Sequence, residues 1–375
     1  MPARESPLAE LHRQAGAKMV EFAGWRLPLQ FTSVAEEARC TRQAAALFDI
    51  SHMGLIGLSG RVARAAARRL LTRDVSAIPA NCSAYALLCS DSGGILDDLF
   101  AMVESDAAVR LVVNAVNHDK DLAWIGGRLS AESAVAVEDL RGRTFGLALQ
   151  GPRSEDILKA AGLRGRLPEV FAAFSHTRLA GAEVLVSRTG YTGEDGFEVF
   201  GAAGEGSVVW QALMQAGRDH GLAPAGLAAR DVLRQEMGYP LWGQDLDEQT
   251  TPFEAGLGWA IDWEGEFIGR AALEGAKPKR RRIGFRVGEP GVARAGAPIF
   301  RCGKHIGVVT SGTYSHNLGA AIGQGYVEAA LELGPGAEIE IEVRGRLLKS
   351  RVERFPLLPA RTRESWRDIG RRKEP

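Results

Sequence analysis

Cysteine is scarce in this chain, with four in 375 residues. Cys40, Cys82, Cys89 and Cys302 form no Cys-x-x-Cys pair and no Cys/His cluster. That spacing excludes a disulfide framework and the common structural zinc and iron–sulfur sites. An excess of either charge is also missing, because Lys plus Arg and Asp plus Glu number 46 each. No global field points to nucleic acid or an anionic membrane as a partner. No apolar run is long enough to span a bilayer. The opening Met1-Pro2-Ala3-Arg4-Glu5-Ser6 has no apolar signal core and is too short for an organelle presequence. The expectation is a cytoplasmic protein.

Common catalytic signatures are absent as well. There is no Gly-x-x-x-x-Gly-Lys-Ser/Thr phosphate loop, no His-Glu-x-x-His and no Gly-x-Ser-x-Gly. Gly190-x-x-Gly193-x-x-Gly196 differs from the dinucleotide fingerprint and precedes a strand, so it is not read as a nucleotide loop. The seven histidines are scattered. His52, beside Met53 in a turn, reads as a hydrogen-bonded structural residue.

What is present is an ordinary globular composition, 45% hydrophobic and 25% charged, in a chain long enough for two or three domains. Ser33 with Glu36 makes a capping box for a helix running through Ala46. Leu55 to Leu58 reads as a strand and Arg61 to Leu71 as a helix. Tyr85 to Cys89 and Leu96 to Val103 form two strands around the turn Asp91-Ser92-Gly93-Gly94. A third strand at Val109 to Val113 and a helix from His118 to Leu129 complete a compact α+β unit. Further on, Ser154 reads as a helix cap, and helices follow at Ser207 to His220 and Gly226 to Met237. After the basic run Lys277-Pro278-Lys279-Arg280-Arg281-Arg282, five alternating segments between Arg282 and Phe355 read as a small all-β domain. The run itself is a solvated linker face or a hold for an anionic partner.

Carboxylates and arginines carry the candidate chemistry. Asp97 and Asp98 open a strand, so alternation sends them to opposite faces. One of them can face a pocket; equally, both can cap the turn. Glu198 stands between Phe197 and Val199, on the face opposite both. That face is solvent or the wall of a pocket, where a carboxylate suits a heterocycle presenting adjacent N–H groups. In Ala229-Arg230-Asp231-x-x-Arg234 most charges should pair along the helix, and one arginine turned inward would grip a carbonyl or carboxylate.

Taken in order, several segments resemble one family. They include Gly16-Ala17-Lys18-Met19-Val20, Leu47-Phe48-Asp49-Ile50-Ser51-His52-Met53-Gly54 and Gly93-Gly94-Ile95-Leu96-Asp97-Asp98-Leu99. Leu111-Val112-Val113-Asn114-Ala115, Gly190-Tyr191-Thr192-Gly193-Glu194, Gly226-Leu227-Ala228-Ala229-Arg230-Asp231 and Thr310-Ser311-Gly312-Thr313 follow. From about Pro7 to Pro359 the chain is similar to the T-protein of the glycine cleavage system, bacterial type. The resemblance implies an α+β fold: a three-domain cloverleaf around a central folate site, with a ferredoxin-like α+β unit and a small C-terminal β-barrel. The boundaries expected are 1–54 with 140–275 for the central domain and 55–139 for the unit carrying the catalytic hairpin. The barrel should span 276–363 and a charged tail 364–375. It implies transfer of the one-carbon unit from the aminomethyl-dihydrolipoyl arm of H-protein to tetrahydrofolate, which serves as co-substrate without a metal. The products are 5,10-methylenetetrahydrofolate, ammonia and dihydrolipoyl H-protein. Neither nucleic acid nor membrane is an expected partner. By the same resemblance Asp97 is the catalytic carboxylate. Glu198 and Arg230 grip folate, and Asn114, Tyr85, Met53 and Tyr191 line its pterin pocket.

Related readings are weaker. Sarcosine- and dimethylglycine-oxidising enzymes carry a flavin-binding half that this sequence lacks. A relative that assists iron–sulfur maturation has a cysteine where Arg188 to Asp195 has none. A folate-dependent demethylase of a small N-, S- or O-methyl substrate is the alternative, and a pure binding module is the remaining one.

Overall fold

The computed structural model describes residues 2–365 and 368. The expected charged tail at 364–375 therefore lies outside the described residues, except for Glu364, Ser365 and Asp368. Two mixed α+β layers, a closed barrel and a small three-stranded sheet make up the described residues.

The first layer is a five-stranded antiparallel sheet. Its strands run in the order Cys82–Cys89, Ile95–Ser105, Ala108–Val113, Gly54–Ser59 and Ala136–Asp139. The helices Ala63–Leu70 and His118–Leu129 cover it, burying Ala66, Leu70, Ile125 and Leu129 against Leu88, Leu99 and Leu111. The hairpin at its edge turns through Gly93, whose φ of +84° suits glycine. Gly94 is required for a different reason. A Cβ there would lie 1.8 Å from the Glu248 carbonyl oxygen. That close approach lets the Ile95 N–H reach the Thr250 carbonyl at 3.0 Å and docks the hairpin on the central segment.

The second layer is a six-stranded sheet in the order Phe174–Leu179, Ala182–Ser187, Gly196–Ala202, Thr144–Gln150, Ala45–Asp49 and Leu222–Ala225. Its inner strands are covered on both faces and are largely apolar, while the edge strand Phe174–Leu179 alternates exposed polar residues with half-buried ones. Leu147, Leu149, Phe197 and Val199 pack toward Trp210 and Leu213 on one face. Ala148, Leu185 and Phe200 pack toward Ala229 and Leu233 of the helix Leu227–Met237 on the other. Glu198 is opposite Ala148 in the pairing, so period-two alternation turns it toward that helix.

The barrel closes through Arg280–Val287, Ala320–Glu328, Lys304–Ser315, Pro298–Arg301, Glu338–Val343 and Arg346–Glu353. Phe285, Ile299, Ile322 and Ile341 are fully buried. Pro298–Arg301 was not expected as a strand; it is four residues long and begins on a proline. The basic run is not a linker face at its C-terminal end. Arg280 to Arg282 open the first barrel strand, and Arg282 turns inward to donate to the carbonyls of Gly238 and Ala255 and to Gln324.

Two local expectations change. The helix from Val34 ends at Gln43 instead of running through Ala46, because Ala45–Asp49 pairs with two strands of the central sheet. Tertiary pairing overrides the helix preference of an alanine run. Ser154 is the first helical residue and Arg153 the cap, with the Ser154 hydroxyl donating to the Gly151 carbonyl at 2.7 Å. Lys18–Phe22 and Trp25–Gln30 pair about Ala23 and Gly24, both with positive φ, and Arg4–Glu5 adds a third strand beside Trp25–Gln30. The Ser33 cap is present, its hydroxyl accepting the Glu36 N–H at 3.2 Å. Among the described residues no helix is long and apolar enough to cross a membrane.

Candidate active site

Where the two sheets and the barrel meet, two cavities of about 560 and 530 Å³ lie back to back. Both are walled by Tyr85, Asp98, Phe100, Gly190 and Tyr191. Of the seven expected site residues, the first cavity brings six together: Met53, Tyr85, Asn114, Tyr191, Glu198 and Arg230.

The seventh, Asp97, is not in either wall. Its side chain points the other way from the strand, is fully buried, and faces the start of the helix His118–Leu129. Its oxygens accept the Asn114 backbone N–H at 2.9 Å, the Asn114 side-chain amide at 2.8 Å and the Asn117 amide at 2.6 Å. The expectation that the first acid of the pair faces the pocket is therefore corrected: Asp98 does. Alternation required the two to diverge, and the pairing of Leu87 with Asp98 and Leu88 with Asp97 sets the phase.

Asp98 is held from two sides. The Tyr85 hydroxyl donates to one oxygen at 2.9 Å and the Asn114 amide to the other at 2.9 Å. Burial, then the charge of Asp97, pushes its carboxyl up to about 7. Such a group exchanges protons at neutral pH. Burial and the Asp98 carboxylate push the Tyr85 hydroxyl well above its usual range, so it stays a donor.

On the opposite wall Glu198 accepts from the Thr189 hydroxyl at 2.6 Å. Burial raises its carboxyl above the ordinary range, while Thr189 and Arg230 pull the other way. Arg230 lies 4.7 Å from the centre of the Tyr191 ring, and its buried Nη1 has no hydrogen-bond partner. An unpartnered guanidinium N–H in a cavity wall is free to donate to a ligand, and leaving it permanently unpaired is costly.

The loop carrying Tyr191 is fixed by close approach. A Cβ on Gly190 would sit 1.9 Å from the Gln150 side chain, and Thr192 donates to that same side chain at 2.9 Å. The Tyr191 hydroxyl donates to the Pro240 carbonyl, and its ring stacks on Tyr239 with centroids 5.7 Å apart.

Other lining groups escaped the sequence reading. His52 lines the first cavity, and its Nδ1 has no hydrogen-bond partner. Burial, then Arg230, pushes it down to about 4, so it is a neutral wall and not the hydrogen-bonded structural histidine expected. The second cavity takes Tyr239, Trp259 and Arg282 from segments far apart in the chain, and no local pattern announces that they meet. Trp259 is 61% exposed and stacks on Tyr85 at 5.4 Å. Among the described residues no group of three His, Cys, Asp or Glu side chains is arranged to hold a metal ion.

A cavity with a carboxyl pushed up to about 7 on one wall and an acid and an arginine on the other can hold a polar heterocycle and exchange protons beside it. Comparison with known proteins gives the family. Residues 8–265 match the GCVT N-terminal domain, and residues 280–358 match the glycine cleavage T-protein C-terminal barrel domain. The chain belongs to the glycine cleavage T-protein family. It is 42% identical over 359 residues to an aminomethyltransferase of Halothermothrix orenii, covering 95% of this chain and all of that one. The aminomethyltransferase of Bacillus subtilis is 38% identical over 361 residues, covering 94% of this chain and 98% of that one. The crystal structure of glycine cleavage system aminomethyltransferase T from Bartonella henselae superposes with a TM-score of 0.90 at 35% identity. It covers 96% of this chain and 99% of that one.

Proposed function

We propose that this chain is the aminomethyltransferase of a glycine cleavage system, with tetrahydrofolate as acceptor and the lipoyl arm of H-protein as donor. The observation that carries the reading is Asp98. It is a carboxyl titrating near 7, set where two cavities share a wall. Glu198 and Arg230 grip the pterin in the first cavity, with Met53, Asn114, Tyr85 and Tyr191 around it. The second cavity admits the rest of the reaction partners to the same carboxyl.

The chemistry needs a proton relay. The methylene carbon of the donor forms bonds to two folate nitrogens. Its bonds to sulfur and to the amine break. Two N–H protons leave the folate, one ending on the thiol and one on the departing ammonia. Asp98, held by Tyr85 and Asn114, accepts the proton bound for the ammonia and returns it to the amine. Its negative form also stabilises the cationic iminium that forms as ammonia leaves. Asp98 takes the role that the family resemblance had assigned to Asp97.

We also propose the division into 1–54 with 140–275, 55–139 and 276–363. Separate buried clusters around the five-stranded sheet, the six-stranded sheet and the barrel support it.

Purified protein given tetrahydrofolate and aminomethylated H-protein should form methylenetetrahydrofolate and ammonia in equal amounts. Formation of neither product, with turnover of a methylated amine or sulfonium in its place, would overturn the reading.

A further inference from the structure

Two buried acids remain that the reaction above does not use. Asp97 and Asp121 are both fully buried, one on the strand Ile95–Ser105 and one on the helix His118–Leu129. Neither oxygen of Asp121 has a hydrogen-bond partner among the described residues, and the neighbouring acid whose charge acts on it most strongly is Asp97. Two bare neighbouring carboxylates repel strongly, whereas one proton between them makes an O–H···O⁻ bond. Lys120, beside Asp121, does not supply the missing donor. Its ammonium goes to the Leu96 carbonyl at 2.8 Å and to Glu248 at 2.9 Å, over the Trp242 ring.

Asp97 in turn is tied to Asp98 through one side chain. The Asn114 amide nitrogen lies 2.8 Å from an Asp97 oxygen and 2.9 Å from both the Asp98 carboxylate and the Asp98 carbonyl. Three acceptors surround that end of the amide, so it is the NH₂ end. The plane of Asn114 is thus set by Asp97, and the direction of the N–H that reaches Asp98 is set with it.

We propose that Asp97 and Asp121 share a proton and act as positioning residues, holding Asn114 and through it the carboxylate of Asp98 for one-carbon transfer. The inference rests on the reading of Asp98 as the group that moves protons in the reaction. Burial and the Asp97 charge push Asp121 up to about 10, so the shared proton stays at neutral pH. The charged and titratable groups facing the pair are Asp98 on the same strand, Tyr85 on the neighbouring strand, Lys120 on the helix and Glu248 from the central segment. The remaining charge rests on Asp97, which accepts three N–H groups, and it keeps Asp98 high.

The test uses the full chain with tetrahydrofolate and aminomethylated H-protein. Asp97→Asn turns an acceptor of three N–H groups into a partial donor and removes the charge beside Asp98. It should lower kcat by roughly 10²-fold through misplacement, leave the folate KM within about twofold and move the acidic limb of the pH–rate profile to lower pH. Wild-type kcat and an unmoved limb would overturn the proposal. Asp121→Asn keeps a donor toward Asp97 and should lose about threefold, while Asp121→Leu, which has none, should lose at least about tenfold. Equal losses in the two would count against it. An infrared spectrum of the wild-type protein near pH 8 should carry the carbonyl band of a protonated carboxyl that Asp121→Asn lacks. No such band would remove the shared proton even if Asp97→Asn failed to fold. Asp98→Asn separates the two ideas. Full activity there would sink the assignment of Asp98. An inactive Asp98→Asn beside a wild-type Asp97→Asn would sink the positioning alone.

Discussion

Buried charge is used in two opposite ways in this molecule. Where the central helix meets the barrel, the buried charges of Arg42, Glu236, Arg234 and Asp245 have opposite partners. Arg42 donates to Glu194 at 2.9 Å and to Glu236 at 2.6 Å, and Ser315 and Asn317 from the barrel side donate to Glu236 as well. Arg234 reaches Asp245 at 2.6 Å, which also accepts from Ser311 at 2.8 Å. Around Asp98 the opposite holds: three acids, two of them fully buried, lie together, held by amides and a phenol. Paired charge joins parts of the chain. Unpaired acids retain protons, and such perturbed groups mark the place where protons can be moved.

Replacing residues on each side should sharpen that contrast, and the largest effect falls at the site. Asp98→Asn should reduce kcat by roughly 10²–10⁴-fold while folate binding, followed by calorimetry, stays near the wild-type value. Loss of folding in place of loss of turnover would show the two regions to be alike. At the junction, Arg234→Met strands Asp245 without its cation and should cost about 3–5 kcal/mol in urea unfolding. A stable Arg234→Met protein would mean that pairing there contributes little.

Glu198→Ala is next, and it belongs to the gripping wall. Removing one buried partner costs about 1–3 kcal/mol, so the folate Kd should rise roughly 10–100-fold with a smaller change in kcat. An unchanged Kd would end the role given to Glu198. The smallest effect concerns Asp121. Its folded-state pKa, about 10, lies above the unfolded value, so the native protein binds a proton that the unfolded chain has lost. That contribution to stability is full below the unfolded pKa and falls as pH rises toward the folded one. Asp121→Asn lacks the dependence, so its melting temperature should gain on wild type by about 5 °C between about pH 5 and pH 8. A constant gap would contradict the raised carboxyl.

Much of the site was readable from the chain. Glu198 between two apolar neighbours and Arg230 on a charged helix both end in the cavity wall, because local alternation and helical period decide them. The Asp97-Asp98 pair was readable as a divergent pair but not in its phase. Which acid faces inward depends on how the hairpin docks against the helix from His118, and that contact is made by residues around 20 positions away. Arg282 looked like one more charge in a basic run; only barrel closure turns it toward Gly238. His52 and Trp259 were invisible as site residues for the same reason, since distant segments bring their neighbours.

The acid and the grip ride on different sheets. Asp98 comes from the five-stranded layer, while Glu198 and Arg230 come from the six-stranded layer and the helix packed on it. For descent with modification, this separates two traits that a single-sheet site would inherit together. A lineage can exchange the hairpin acid, and with it the leaving group it tolerates, and still keep the clamp for the heterocycle.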